Sequence, residues 1–189
     1  MLGLLVPALV AFLIALGLGG SVDRWSGVRL YWWPLALLAF AVQVVLYSPP
    51  INAWPPLVAV GVPLGVLTTG MVLLVAVRNA AGGPVRSAWT LAAVGIALNL
   101  VVVIVNAGWM PSRRPALAST AAGPGFEPST VVNTVAVVSD SRLVWLGDTL
   151  LEPQWLPLSN AVSPGDVLLS LGAAWFVFAV TRRHAPTLT

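Results

Sequence analysis

Two carboxylates frame the chemical question. Asp148 stands in the run Trp145-Leu146-Gly147-Asp148 and Asp166 in Ser163-Pro164-Gly165-Asp166, with Asn106 upstream and Arg113, Arg114 and Arg142 in between. Acids flanked by amide and guanidinium groups admit three uses. They can act as an acid–base pair, hold a cation through their oxygens, or form an Arg–Asp clamp that fastens one segment onto another. The clamp is the default, a small-molecule or ion site is second, and catalysis is third. Catalysis lacks companions, because cysteine is absent and the single histidine, His184, stands beside Arg182 and Arg183 near the far end of the chain. No nucleophile–base pair and no Cys/His ligand set follows from those residues. No catalytic residue, metal site or cofactor is therefore expected.

The elements that must position these groups are apolar. Of 189 residues, 58% are hydrophobic and 8% charged, and the mean hydropathy is +0.93. A soluble domain carries about a quarter charged residues, and disordered or coiled-coil chains need still more polarity. Both classes are excluded, and a membrane protein of several spans remains. The sequence pI near 10.6 does not signal nucleic acid, since the net charge of +3 is scattered between apolar runs and forms no patch. All nine basic residues are arginine. Together with the absence of Lys and Cys, that usage reads as the product of a GC-rich bacterial genome.

A hydrocarbon core of about 30 Å needs roughly 17 to 25 apolar helical residues. Five stretches qualify, at 2–19, 31–47, 56–77, 88–105 and 164–181. The first lacks the charged start and small-residue cleavage site of a signal peptide, so it reads as a retained helix. The fold expected is an all-α bundle of five transmembrane helices in one membrane domain, 1–189, with an ordered outer segment at 106–163. Arg24, Arg29, Arg78, Arg86, Arg182 and Arg183 fall on one side of such a bundle. Basic loops stay cytoplasmic, which predicts the amino terminus outside and the carboxyl terminus inside a bacterial cytoplasmic membrane. Trp25, Trp32, Trp33, Trp54, Trp89 and Trp109 lie near span ends, where indoles anchor at the interface. Inside the spans, Asn99 and Asn106 are seven residues apart and share a helix face. An interhelical hydrogen bond is the default use of Asn99, and a ligand contact the alternative.

Within 106–163, the stretch 111–128 reads as irregular loop. The stretch 129–146 alternates valines with Asn133, Thr134, Ser139, Asp140 and Arg142, which suggests an amphipathic interfacial or re-entrant helix, with a β-hairpin as the alternative. Gly147 suits a left-handed helix end, and Pro153, Trp155 and Pro157 an extended run along the interface. Ser163 reads as the cap of the last helix, followed by Pro164 at its first position and Asp166 beside the helix dipole.

Three ordered motifs carry a resemblance. Asn106-Ala107-Gly108-Trp109-Met110-Pro111, Leu146-Gly147-Asp148 and Ser163-Pro164-Gly165-Asp166 are similar to the Asn-x-Gly-x-Met-Pro, Leu-Gly-Asp and Ser-x-Gly-Asp pattern of a bacterial family of small multispanning membrane proteins of unknown function. It covers the chain from Asn106 onward; the earlier spans match only in hydropathy. The resemblance implies no activity. It does imply that Asn106, Gly108, Met110, Pro111, Asp148 and Asp166 belong together on the outer face. The expected function is a non-enzymatic accessory or interaction protein whose outer lid meets a protein partner, lipid or small ligand. The alternative is a carrier or binding protein for a hydrophobic or ionic small molecule held under the lid, and the third reading is an intramembrane enzyme. Membrane lipids are the expected surroundings, and nucleic acid is not a partner.

Overall fold

The computed structural model describes residues 5–48, 54–112, 134–136, 140–151 and 161–182. Five helices dominate: α1 (Val6–Gly17), α2 (Trp33–Tyr47), α3 (Pro55–Gly82), α4 (Arg86–Val105) and α5 (Pro164–Arg182). Their ends follow the breakers in the sequence. Proline stands in the first turn of α1, α2 and α3, where its missing N–H costs no helical hydrogen bond. α3, from Val60, together with α4 and α5, is long and apolar enough to cross a membrane. α1 has 12 residues and α2 has 15, so at about 1.5 Å per residue both fall short of the hydrocarbon thickness.

Neighbouring helices follow the order α2–α3–α4–α5–α1, and α4 with α5 is the most extensive pair. Small and polar side chains make up much of the interior, beside Leu46, Val75, Ile96, Val102 and Val180, while many large apolar side chains point outward. Ala15, Ala39, Ala76, Ala88, Ala92, Thr68, Asn79, Ser170 and Thr181 are buried, whereas Leu9, Leu13, Leu37, Phe40, Leu67, Leu74 and Ile104 are exposed. This inverts the arrangement of a water-soluble bundle and suits helices that meet lipid on the outside and each other through small residues.

Polar side chains tie α2 and the segment before it to α3. Gln43 of α2 donates to the Thr68 hydroxyl of α3 at 3.3 Å. The buried Asn79 amide reads the backbone of Tyr31 in both directions, donating to its carbonyl at 2.9 Å and accepting from its N–H at 3.0 Å. Arg78, one residue earlier, lies over the Tyr31 ring at 3.9 Å, a cation–π contact. On the other flank, Phe176 of α5 meets Trp25 and Trp89 edge to face. The Trp89 indole N–H is buried and has no partner among the described residues.

Around 106–163 the structure departs from expectation. The described part of 129–146 is not an amphipathic helix: Thr134–Ala136 is a strand, β2, parallel to β1 (Met110–Ser112), and Val144–Leu146 is a single 3₁₀ turn. Nor is it a local hairpin, since β2 pairs with a strand far back in the chain. The valine-rich pattern satisfied a helix template, but a β-branched run also suits a strand when a distant edge is there to pair with. A second pair, β3 (Leu150–Leu151) and β4 (Ala161–Val162), is antiparallel and runs directly into α5. The rest of 111–128, and Pro153, Trp155, Pro157 and His184, lie outside the described residues.

The α4–α5 seam depends on glycine. A methyl group on Gly165 would stand 2.6 Å from the Gly95 carbonyl and close on the Asn99 amide, and one on Gly95 would stand 2.9 Å from the Leu169 nitrogen. Gly17 of α1 has nothing within 4 Å of the same position. Gly165→Ala should therefore destabilise the bundle by about 1–3 kcal/mol through overpacking, while Gly17→Ala gains up to ~1 kcal/mol from helix propensity. Chemical unfolding in detergent checks both, and equal effects would refute the close-packed seam.

Candidate functional site

The site begins where α5 begins. Ser163 precedes Pro164 and Gly165, and the Asp166 N–H donates to the Ser163 hydroxyl at 3.0 Å while the Ser163 N–H donates to the Asp166 carboxylate at 3.0 Å. This is a reciprocal capping box, with Asp in the place more often held by Glu or Gln. The sequence reading of Ser163 as the cap matches this geometry. Asn99 of α4 closes the arrangement, donating to the other Asp166 oxygen at 2.7 Å and accepting from the Ser163 hydroxyl at 2.8 Å. Three side chains and two backbone N–H groups thus form one circuit across the helix seam. Asn99 makes an interhelical hydrogen bond here, and Gly165 supplies the room for it.

A second polar anchor lies two α4 turns beyond. Asn106 caps the end of α4, donating to the Val102 carbonyl at 2.8 Å and the Arg142 carbonyl at 2.9 Å, and accepting from the Arg142 N–H at 2.8 Å. Its amide has no N–H left for Asp148. Arg142 therefore enters the site through its backbone, and its residue is exposed. Arg113 and Arg114 lie outside the described residues. Among the described residues, neither Asp148 nor Asp166 pairs with an arginine.

Between the anchors the chain is fixed by shape. Gly108 takes φ +97°, a left-handed conformation, and a methyl group on it would collide with Val62 of α3, so only glycine fits. Met110 joins Val102 and Leu146 in a buried apolar cluster. Pro111 presents its carbonyl to the Asp148 N–H at 2.9 Å, and the buried Ser112 hydroxyl donates to the Asp148 carbonyl at 3.0 Å. Gly147 is extended, at φ −76° and ψ −170°, rather than left-handed. Glycine is needed there for a different reason: a methyl group would press into the Pro111 carbonyl. Ser112 escaped the sequence reading; its position directly after Met110-Pro111 is the one available signal.

Asp148 thus sits at the join. Asp148 bridges Ser112 and lies two residues before β3, whose register with β4 pairs Leu150 with Val162 and Leu151 with Ala161, next to the start of α5. Its backbone is hydrogen-bonded, but among the described residues no group donates to its carboxylate. Burial and, secondarily, the charge of Asp166 push the Asp148 pKa up from 3.8 to about 7. The sequence-derived residues Asn99, Asp148, Ser163, Gly165 and Asp166 therefore gather at one end of the α4–α5 seam. Asn106, Gly108, Met110, Pro111 and Gly147 hold the adjoining segment. Chemically the gathering can hold a proton on Asp148 near neutrality, beside an Asp166 carboxylate that accepts from two donors, the Asn99 amide and the Ser163 N–H.

A raised carboxylate pKa favours the protonated native form. The folded chain then binds more protons than the unfolded chain between about pH 4 and 7. The stability contributed is complete below pH 4 and is lost as pH rises through 7. Unfolding midpoints measured across that window should fall with pH, and Asp148→Asn should flatten the slope. A wild-type slope of the opposite sign would mean that a cation holds Asp148 ionised.

Comparison with known proteins adds one match. No curated protein and no solved structure matches the chain. A family model described as a family of unknown function, DUF5317, covers residues 27–178. That span starts well before Asn106, where the motif resemblance begins, and so brings α2 and α3 inside as well. With α2 to α4, most of α5 and the whole Asn99–Ser163–Asp166 circuit inside the match, the chain belongs to DUF5317, a family of unknown function.

Proposed function

We propose that the chain is a multi-pass protein of the bacterial cytoplasmic membrane, one domain of five spans over residues 1–189, acting as a non-enzymatic accessory or interaction protein. In this reading the 106–163 segment is an outer lid, with the amino terminus outside and the carboxyl terminus cytoplasmic. α1 and α2 count as spans because their large side chains face outward like those of the longer helices, and a short helix is accommodated by bilayer thinning and flanking anchors. The single observation that carries the functional reading is that Asn99, Asn106, Ser163 and Asp166 are all engaged with other groups of the protein. Groups so engaged hold a lid in place. In the same segment Arg142, Leu150 and Trp145 are exposed, the last 65%, and Trp and Arg are the residue types that anchor partner interfaces.

A photo-crosslinking amino acid in place of Trp145 tests this in cells. One protein adduct of defined mass is expected, with none when the same group replaces Leu91, which is exposed on α4. Absence of a protein adduct at Trp145 would sink the interaction reading. The second reading, a carrier or binding protein for a small molecule, is favoured by the Asp148 carboxyl, held beside Asp166 without a donor among the described residues. It gains the weight if Trp145 gives no adduct and Asp148→Asn abolishes retention of a co-purifying small molecule.

Orientation is tested separately. The chain has no cysteine, so single cysteines at Ser87 and Thr120 can be labelled with an impermeant reagent. Ser87→Cys should react only from the cytoplasmic side and Thr120→Cys only from outside. Reaction of both from one side would refute the five-span arrangement.

A further inference from the structure

Arginines converge where α1 and α5 end. The Arg24 guanidinium donates to the Thr181 carbonyl at 2.7 Å and reaches the Gly19 carbonyl at 3.5 Å, and Arg182 donates to the Leu18 carbonyl. Leu18 caps α1 and Thr181 lies in the last turn of α5. Both guanidinium groups therefore sit on helix carboxyl ends, whose carbonyls carry about half a negative charge. The connection between them is pinned: the Ser21 N–H donates to the Thr181 carbonyl at 3.1 Å, and the Trp25 indole N–H donates to the Thr181 hydroxyl at 3.2 Å.

Two positive charges from distant parts of the sequence are thereby held side by side. The helix ends offset them only in part, and among the described residues no carboxylate pairs with either. Asp23, the nearest acid in sequence, is turned to Ser21, whose hydroxyl donates to it at 3.1 Å. Each guanidinium has five N–H donors, more than the carbonyl bonds described take up. The position is also telling. The apolar helices stop here and Trp25, half-buried against Phe176, is the kind of amphipathic ring that settles at headgroup depth.

We propose that Arg24 and Arg182 form a binding site for the phosphate of an anionic phospholipid headgroup. A guanidinium fork matches phosphate oxygens geometrically, and a bilayer supplies phosphate at this depth continuously. Occupation would complete the charge balance of the α1–α5 junction and tie α1 to the bundle.

The test places the full chain in nanodiscs of phosphatidylcholine with increasing phosphatidylglycerol, reading bound lipid by native mass spectrometry and thermal unfolding in parallel. The wild type should retain phosphatidylglycerol selectively and unfold at higher temperature as its fraction rises. Arg24→Gln and Arg182→Gln should each weaken that selectivity about fivefold, while Arg29→Gln, removing an exposed charge outside the pair, should change it little. An equal loss with Arg29→Gln would show a diffuse surface potential and overturn the site. Equal stabilisation by inorganic phosphate in pure phosphatidylcholine would overturn the lipid assignment. Should the glutamine variants fail to assemble, Arg24→Lys and Arg182→Lys decide. They keep the charge but lose the fork, and undiminished selectivity in them would refute the proposal.

Discussion

The approach of α4 to α5 at Gly95 and Gly165 is the contact on which the rest of the molecule depends. In an apolar medium the hydrophobic effect gives helices little reason to associate, so association rests on close packing and on polar groups that find partners. The seam uses both. Glycine lets the two backbones meet at a distance no methyl group tolerates, and that closeness brings the Asn99 amide within reach of Ser163 and Asp166. An interhelical hydrogen bond of this kind is worth about 0.6 to 2 kcal/mol. Here Asn99 also holds in place the Ser163 hydroxyl and Asp166 carboxylate, which accept from N–H groups at the helix start that would otherwise be orphaned.

Fixing the start of α5 fixes what precedes it. β4 ends at Val162, immediately before the cap, and its register with β3 sets where Leu150 lies and hence where Asp148 falls. From the other direction, Asn106 ends α4 and holds the Arg142 backbone, while Gly108 turns the chain against Val62. The two constraints meet where Pro111 and Ser112 bond the Asp148 backbone. The proximity of two carboxylates is thus a consequence of the seam, and the raised pKa of Asp148 records first its burial there and second the charge of Asp166.

Much of this was legible in the sequence where the determinants are local. Pro34, Pro55, Pro56 and Pro164 mark helix starts, and four of the five helices lie close to the ranges read from hydropathy. The Ser163-Pro164-Gly165-Asp166 run announced its capping geometry because a capping box is a short-range object. What escaped is non-local. Nothing in Val131 to Val138 says that Met110–Ser112 is waiting as a parallel partner, and nothing beside Gly147 says that the Pro111 carbonyl will press on it. Of the first apolar run, 2–19, the described part is α-helix over Val6–Gly17 and turns at Leu18 and Gly19, because an apolar run sets the limits of a helix without setting its ends. Asn99 was found as a polar group inside a span, but its partners lie in another helix and required the fold.

The family match divides the chemistry of the molecule. Asn99, Ser163, Asp166 and Asp148 lie inside residues 27–178, whereas Arg24 and Arg182 lie outside them. The carboxylate end therefore lies within the span that the DUF5317 model covers, and the arginine end is built by the junction of α1 with the tail of α5. Physically the two ends differ in kind. At one, Asp166 is held in a closed circuit with Asn99 and Ser163, and Asp148 lies buried near it. At the other, guanidinium groups crowd onto two helix ends with more donors than the protein's own carbonyls occupy. Of the two ends, the one that carries Arg24 and Arg182 is the one that gains from an anionic surface, because like charge repels the carboxylates of the other.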